Sequence, residues 1–318
     1  MVKSFLIGAG ATRAQYSNAP LNSDFFKQLN IQDHHRYKAI ESTIKPHIND
    51  SLENLDIEQV MTLSYEFPIS VKTAFFESIY QAIYELLVNS TNSDESYIQS
   101  AHRGQIRTHP TLFKVLLNDP RLNKEDFFMT LNYDLYLDRE VLAVNGFVDY
   151  GITKEMMHTA TNMPLNFVYH DFSVYHLHGS LNWELVNENT LIIRMGAVGP
   201  TYKRTGSNLY LVPPGKKELY PILKSIWTIA KTRLLDADEL IIIGCSLNPN
   251  DVDLIDLIKE FIKAKGIDKV KIIGSVAHDP TCDLKFTQVI GHGFKLHPHG
   301  FNISGAHGYK GSIEFIFS

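Results

Sequence analysis

Residues 127–134 read Phe127-Phe128-Met129-Thr130-Leu131-Asn132-Tyr133-Asp134, an apolar run that ends abruptly in an asparagine and an aspartate. A second run, Tyr175-His176-Leu177-His178-Gly179, delivers a histidine just before a glycine. In an open α/β sheet, ligands bind outside the carboxyl ends of the strands, so polar side chains that follow buried strands are candidates for a site. The two segments therefore predict an α/β protein with a small-molecule site that contains Asn132, Asp134 and His178.

The start of the chain adds a third segment. The short apolar strand Met1–Ile7 is followed at once by Gly8-Ala9-Gly10-Ala11-Thr12. Small residues let the backbone turn tightly and approach a ligand closely, and a helix that began there would direct unpaired N–H groups at a phosphate. Because the third glycine of the dinucleotide fingerprint is missing, an ordinary turn between a strand and a helix is an open alternative.

A fourth segment lies far along the chain. The residues Leu240-Ile241-Ile242-Ile243 form a continuous apolar run, as in a strand buried on both faces of a parallel sheet. This run ends in Gly244-Cys245-Ser246-Leu247, and the amphipathic stretch Val252–Lys263 then predicts a helix. Small residues thus again lie between a strand and a helix.

Composition limits the class of protein. The chain has 318 residues, 44% hydrophobic and 20% charged, which is ample for one large domain. Its net charge is −5 and its lysines and arginines are scattered, which argues against direct binding of nucleic acid. With 2 cysteines, no signal peptide and no apolar run of about 18 residues, we expect a cytoplasmic protein that does not insert into a membrane.

The apolar spacing between Leu21 and Arg121 is helical, and it predicts helices at Asp24–Leu29, Asp33–Ile44, Asp56–Tyr65, Val71–Val88 and Pro110–Leu117. This stretch is too long for an ordinary crossover between parallel strands. We therefore expect a single domain over residues 1–318, in which a helical insertion at about 21–121 interrupts a Rossmann-like core of residues 1–20 and 122–318. Further strands are predicted at Phe127–Leu131, Asn166–Tyr169, Val174–Leu177, Leu209–Val212, Glu239–Ile243, Val270–Ile273, Gly293–Leu296 and Ser312–Phe317.

Taken together and in their order along the chain, the four segments resemble the motifs of the sirtuin-like superfamily, most closely its prokaryotic NAD-hydrolase branch. Asn132 and Asp134 match the Asn-x-Asp motif, and His178-Gly179 matches the catalytic His-Gly. The resemblance implies an open, mostly parallel sheet flanked by helices, with Asn132 and His178 as catalytic residues. It assigns the nucleotide to Gly8, Ala9, Gly10, Ala11, Thr12, Pro20, Asp134, Gly244, Cys245 and Ser246.

The chain also departs from the protein deacylases of that superfamily. Those enzymes carry a four-cysteine zinc module, whereas this chain has Cys245 and Cys282 alone and no Cys-x-x-Cys, so a zinc site of that kind is excluded. Leu131 stands where deacylases usually have glutamine, and the flap Ala19–Phe26 lacks their arginine. These departures favour water over an acyl-lysine as the acceptor.

Each candidate residue also has a purely structural interpretation. His178 could be a buried structural histidine, Asn132 could cap a helix that starts at Tyr133, and Asp134 could favour a first helical turn electrostatically. We interpret Cys245 as a packing residue, since nothing in the sequence supplies an activating base. The late histidines lack a carboxylate or cysteine partner at ligand spacing, so we expect no metal at His292, His297, His299 and His307.

The predicted activity is cleavage of the nicotinamide–ribose bond of NAD, with NAD as substrate and no metal. A zinc-free deacylase or ADP-ribosyltransferase is the alternative enzyme, and a sensor that binds NAD or ADP-ribose without turnover is the alternative of another class. The resemblance further implies a regulated effector of anti-phage defence. We expect such an effector to form a homo-oligomer or to need a separately encoded partner such as a translocase-type ATPase.

Overall fold

A six-stranded parallel sheet forms the centre of the protein. The structure is a computed structural model. It describes residues 1–15, 19–64, 66–92, 111–145, 148–152, 157–159, 172–187, 190–193, 209–211, 221–249, 251–274, 280–297 and 309–318. The strands of this sheet are β1 (Lys3–Ile7), β2 (Phe127–Thr130), β4 (Ser173–His176), β8 (Glu239–Ile243), β9 (Val270–Ile273) and β10 (Lys295–Leu296). Their order across the sheet is β10-β9-β8-β1-β2-β4, and every neighbouring pair is parallel.

This strand order is the doubly wound order of Rossmann-like folds, and it reverses direction between β1 and β8. The sequence explains why these strands lie at the centre. All residues of β1, β2 and β8 are buried and most of them are apolar, as expected when helices cover both faces of a sheet. The predicted fold class, an open parallel sheet flanked by helices, is confirmed.

Eleven α-helices are found in the described part of the chain. They are α1 (Ala9–Gln15), α2 (Phe25–Gln32), α3 (His34–Ile44), α4 (Ile57–Ser64), α5 (Ile69–Asn92), α6 (Leu112–Leu117), α7 (Tyr136–Asn145), α8 (Pro221–Asp236), α9 (Val252–Lys265), α10 (Pro280–Ile290) and α11 (Lys310–Phe317). Short 3-10 turns lie at Lys45–His47, Leu52–Asn54 and Ile267–Lys269. No helix in the described ranges is long and apolar enough to cross a membrane.

Helices α2 to α5 have a hydrophobic core of their own, which we call the helical core. It contains Phe26, Ile40, Val60, Met61 and Ile79, among others. Two residues from outside the insertion, Leu181 and Leu211, join it. By contrast, the apolar side chains of α6 pack into the core of the sheet, so the separate core of the predicted insertion ends with α5.

A second sheet was not expected from the sequence. It consists of β3 (Met157–Thr159), β5 (Gly179–Asn187), β6 (Thr190–Ile193) and β7 (Leu209–Leu211), in the order β3-β6-β5-β7, with β5 antiparallel to β6 and β7. The first five residues of β5 are all buried, polar Ser180 and Asn182 included, so no alternation of apolar and polar residues marks this strand. The predicted strand Leu209–Val212 is therefore present as β7 but belongs to the second sheet, while the predicted strand Asn166–Tyr169 lies outside the described residues.

The predicted closing strand Ser312–Phe317 is wrong, because this segment forms helix α11. Its buried residues include Ile313 and Ile316, which are three apart and so lie on one helical face. The Lys271 side chain from β9 donates to the backbone oxygens of Ile316 (3.0 Å) and Ser318 (2.9 Å). A buried cation thus satisfies carbonyl groups that the end of a helix leaves unpaired.

The same lysine gives a test of how the helix is attached. Lys271 is fully buried and lies 3.1 Å from Glu239, so Lys271→Ala leaves a buried carboxylate without its cation. We expect the free energy of unfolding in urea to fall by about 3–5 kcal/mol. The control is Lys269→Ala, whose half-exposed side chain lies 3.7 Å from Asp268 and should contribute about 0–1 kcal/mol. Equal, small losses in both variants would contradict this attachment.

Candidate functional site

The candidate site is a cavity of about 660 Å³ at the carboxyl ends of β1, β2 and β8. It therefore lies where the strand order reverses, the place at which doubly wound sheets bind ligands. Eleven of the twelve predicted site residues line it, namely Gly8, Ala9, Gly10, Thr12, Pro20, Asn132, Asp134, His178, Gly244, Cys245 and Ser246. The twelfth, Ala11, is fully buried and lies behind the lining.

Two glycine turns meet at the base of the cavity. The Gly8 N–H donates to the oxygen of Ile243 (2.9 Å), and the Gly10 N–H donates to the oxygen of Gly244 (2.8 Å). A Cβ atom on Gly8 would lie 2.5 Å from the Cα of Cys245, and one on Gly244, whose φ is +62°, would lie 2.1 Å from the nitrogen of Ala11. Neither Gly8 nor Gly244 can therefore be replaced by a residue with a side chain.

These hydrogen bonds also change the expected role of the turn after β1, which the sequence predicted to direct N–H groups at a phosphate. The N–H groups of Gly10 and Ala11 are already donated to the oxygens of Gly244 and Gly8. Helix α1 has only seven residues. The segment therefore offers a ligand mainly close approach to bare backbone, and fewer N–H donors than the glycine pattern predicts.

Asn132 joins the loops that follow β1 and β2. Its side-chain N–H group donates to the oxygen of Gly8 (3.1 Å) and to the hydroxyl of Thr12 (3.0 Å), and that hydroxyl donates to Asp134 (2.8 Å). The carbonyl oxygen of the Asn132 side chain is buried and has no hydrogen-bond partner among the described residues. Since buried acceptors are nearly always paired in folded proteins, this oxygen is suited to accept a hydrogen bond from a ligand in the cavity.

The capping interpretation of Asn132 does not apply, because helix α7 begins only at Tyr136. Asp134 is the residue that contacts the start of α7, since its carboxylate accepts the N–H of Tyr136 (3.1 Å). Burial raises the pKa of Asp134 above its ordinary value, and the hydrogen bonds from Thr12 and Tyr136 offset only part of that effect. Asp134 therefore serves the fold as well as the cavity wall.

His178 is held in place through the residue before it. The Leu177 N–H donates to the oxygen of Thr130 (2.9 Å), and the Leu177 oxygen accepts the indole N–H of Trp227 (2.8 Å). Nε2 of His178 lies 3.1 Å from a carboxylate oxygen of Asp251, and both side chains are almost completely buried. The sequence reasoning did not identify Asp251 as a site residue, although its place just before α9 at the sheet's carboxyl edge is the kind of signal that marked Asn132.

A second histidine lies beneath the site. His176 is fully buried, with Nδ1 at 3.2 Å from the backbone oxygen of Asn132 and Nε2 at 3.0 Å from Asp138. Burial alone would lower the pKa of His176, but the carboxylate of Asp138 and the carbonyl of Asn132 outweigh it and raise the pKa. Because both ring nitrogens face acceptors, this geometry favours the protonated imidazolium of His176, which can donate to the backbone oxygen of Asn132 and to Asp138.

The helical insertion forms the opposite wall of the cavity. Its apolar lining residues are Leu21, Phe25, Ile57, Met61, Ile83 and Leu87, and its acidic ones are Asp56 and Glu58. The amide of Asn22 donates to the buried carboxylate of Glu58. Among the described residues, no group of three or more His, Cys, Asp or Glu side chains is arranged to hold a metal ion. His299 and His307, from the histidine-rich end, lie outside the described residues.

No family model matches the sequence, and no curated protein matches it. Among solved structures, the chain is similar to a Sir2 complex with the inhibitor EX-527, 2'-O-acetyl-ADP-ribose and a deacetylated p53 peptide, at 12% identity over 93% of this chain and 86% of that one, with a TM-score of 0.36. It is also similar to a Sir2 homologue–NAD complex (14% identity, 93% and 83% of the chains, TM-score 0.37).

The raised pKa of Asp134 gives a prediction about stability. Folding favours the protonated carboxyl, so this contribution to stability is lost as the pH rises through the raised folded pKa. We expect Asp134→Asn, which keeps the shape without the charge, to melt at a higher temperature than the wild type at pH 8. The difference should shrink towards zero as the pH falls below about 3.9, where the carboxyl is protonated in both states.

The control for this measurement is Asp138→Asn at pH 6. Since this variant removes the counterion of a buried imidazolium, it should melt at a lower temperature than the wild type. A lower melting temperature of Asp134→Asn at pH 8 would instead show that the ionised carboxylate stabilises the fold.

Proposed function

We propose that this protein binds NAD and hydrolyses its nicotinamide–ribose bond, giving nicotinamide and ADP-ribose. The observation that carries the proposal is the meeting of Asn132, His178 and the two glycine turns in one cavity where the strand order reverses. Dinucleotides bind across this crevice in doubly wound sheets. The cavity volume of about 660 Å³ is also within the range of small-molecule sites.

In this proposal the glycine turns hold the pyrophosphate. Gly8, Gly10 and Gly244 border the cavity with backbone alone, so a phosphate can approach the main chain closely. Ser246 and Lys285 add a hydroxyl and a positive charge to the same lining. Fixing the adenosine half in this way positions the nicotinamide half beside Asn132 and His178.

The chemistry then follows from the side chains in the cavity. The bond between ribose C1' and the nicotinamide nitrogen breaks with its electron pair going to the nitrogen, and a cationic ribose develops. The free oxygen of Asn132 orients a ribose hydroxyl or the attacking water. His178 takes the proton of that water as its oxygen bonds to C1', and later releases the proton to solvent.

The charge of the lining suits a reaction that develops positive charge. Among the described residues, the lining contains the carboxyl groups of Asp56, Glu58 and Asp251, and that of Asp134, whose pKa is raised by burial, but a single lysine, Lys285. Fixed negative groups around an enclosed site stabilise a cationic transition state more than they would in water. The acidic lining therefore supports cleavage through an oxocarbenium-like ribose.

We extend the proposal to a biological role because the four motifs follow one another along the chain in the order of the family that they resemble. The chain would be a cytoplasmic effector of anti-phage defence that depletes NAD, acting as a homo-oligomer or with a separately encoded activator such as a translocase-type ATPase. A deacylase or ADP-ribosyltransferase would require an acyl peptide or a protein acceptor. A sensor would bind NAD or ADP-ribose without turnover.

Product analysis separates these functions. Purified protein incubated with NAD should release nicotinamide and free ADP-ribose in equal amounts without any peptide. His178→Ala and Asn132→Ala should each lower the rate on the order of a hundredfold, because each removes a group that acts on the reacting atoms. The exposed His292 supplies the control variant, His292→Ala, which should cleave NAD at the wild-type rate.

Near-normal rates in both site variants would contradict the assignment of the catalytic pair. If the wild type alone releases no product, candidate partners are added. Binding of NAD without release under every condition would favour the sensor.

A second variant tests the nucleotide-binding turn. Gly10→Val places a branched side chain at the cavity lining and should obstruct the pyrophosphate. We expect calorimetry in a His178→Ala background, where NAD is consumed on the order of a hundredfold more slowly, to show weaker binding of both NAD and ADP-ribose. Nicotinamide alone lacks a pyrophosphate and should bind as before. Unchanged affinity for ADP-ribose would place the dinucleotide elsewhere.

A further inference from the structure

The loop between β8 and α9 has a backbone that points to a functional constraint. Leu247 has a φ of +47°, and it is the one non-glycine residue with positive φ in the described part of the chain. A leucine in the left-handed region is disfavoured by its Cβ, so the surrounding structure must hold it there. The neighbouring Leu247 to Pro249 segment and Asp251 all line the cavity, which links this backbone to the site.

Asp251, at the end of the same loop, does not perform its expected structural role. It occupies the N-cap position of α9, where aspartate usually accepts a hydrogen bond from the first helical turn. Its side chain makes no such capping bond. Its carboxylate lies instead 3.1 Å from Nε2 of His178, inside the cavity.

The backbone of Asp251 is fixed at both of its polar groups. Its N–H donates to the oxygen of Asn248 (2.9 Å), and its oxygen accepts the N–H of Ile255 (3.0 Å). The side chain is 3% exposed and that of His178 is 4% exposed, so their contact is shielded from solvent. This contact is therefore set by the loop and the helix, and it does not depend on a flexible surface group.

We propose that Asp251 is a positioning residue for the cleavage of NAD, acting through His178. The inference rests on the proposed function and deepens it, because it states how the base is prepared. An ionised carboxylate can only accept a hydrogen bond, so it holds the proton of the neutral imidazole on Nε2 and leaves the lone pair on Nδ1. Nδ1 then takes the proton of the attacking water, and the carboxylate stabilises the imidazolium that forms.

The two residues of this pair come from strands that are not neighbours in the sheet. His178 follows β4 and Asp251 follows β8, on opposite sides of β1 and β2 in the strand order. A carboxylate bound to a histidine base fixes both the tautomer and the orientation of the ring. The distance of Asp251 from His178 in sequence explains why the pair is not a recognisable local motif.

The test uses Asp251→Asn, which keeps the size of the side chain but removes its charge. We expect kcat for NAD to fall on the order of a hundredfold while KM changes little, since the variant affects the chemical step and not ground-state binding. The matched control is Asp253→Asn, an exposed carboxylate in the same helical turn, which should leave both constants unchanged. Melting temperatures of all variants establish that they fold.

A double variant distinguishes action through His178 from an independent effect. If Asp251 acts through the imidazole, Asp251→Asn should add no further loss to His178→Ala in single-turnover rates at excess enzyme. Unchanged kcat in Asp251→Asn, a loss confined to KM, or a double variant that multiplies the two single losses would each overturn the proposal.

A spectroscopic measurement keeps this inference separable from the proposed function. In protein labelled with 15N at histidine, the His178 signals are those absent from His178→Ala. We expect them to show the proton on Nε2 in the wild type and to change in Asp251→Asn. If the wild type cleaves no NAD either alone or with candidate partners, the proposed function fails, yet unchanged His178 signals in Asp251→Asn would separately overturn the positioning role.

Discussion

The contact between the turns after β1 and β8 is the constraint on which the site depends. A side chain on Gly8 would overlap Gly244 and Cys245, and a side chain on Gly244 would overlap Gly10 and Ala11. This contact brings Thr12, on α1, within reach of Asn132 at the end of β2, and the same amide then binds the oxygen of Gly8. Three strands thus share one small set of backbone and side-chain hydrogen bonds, and the cavity opens directly above it.

Much of this arrangement could be predicted from the sequence because its signals are local. A continuous apolar run such as Ile241-Ile242-Ile243 indicates a buried parallel strand, and small or polar residues directly after it must lie at the sheet's carboxyl edge. The same reasoning placed Asn132 and His178 together, since parallel strands end at one edge. The ends of the helices were less predictable: α5 extends over Ile69–Asn92, beyond the stretch whose apolar spacing is clear.

The features that could not be predicted are those that depend on contacts between residues far apart in the sequence. The apolar residues of α11 fit a strand as well as a helix, and the buried Lys271 that binds the helix end lies on β9. The first residues of β5 are buried on both faces of the strand. With polar Ser180 and Asn182 among them, the segment lacks the alternation of apolar and polar residues that would have predicted a strand. Likewise, the carboxylates of Asp138 and Asp251 pair with His176 and His178 from different helices. No local pattern encodes such pairings.

The participation of Leu181 in the helical core links two parts of the molecule mechanically. Leu181 lies in β5, three residues after His178, and its N–H donates to the oxygen of Tyr133, which follows Asn132 directly. Its side chain is nevertheless packed among the helices of the insertion. A displacement of those helices would therefore be transmitted through a few stiff peptide units to both polar residues at the base of the cavity. The helices of the insertion thus form one wall of the cavity and are also connected, through Leu181, to the residues at its base.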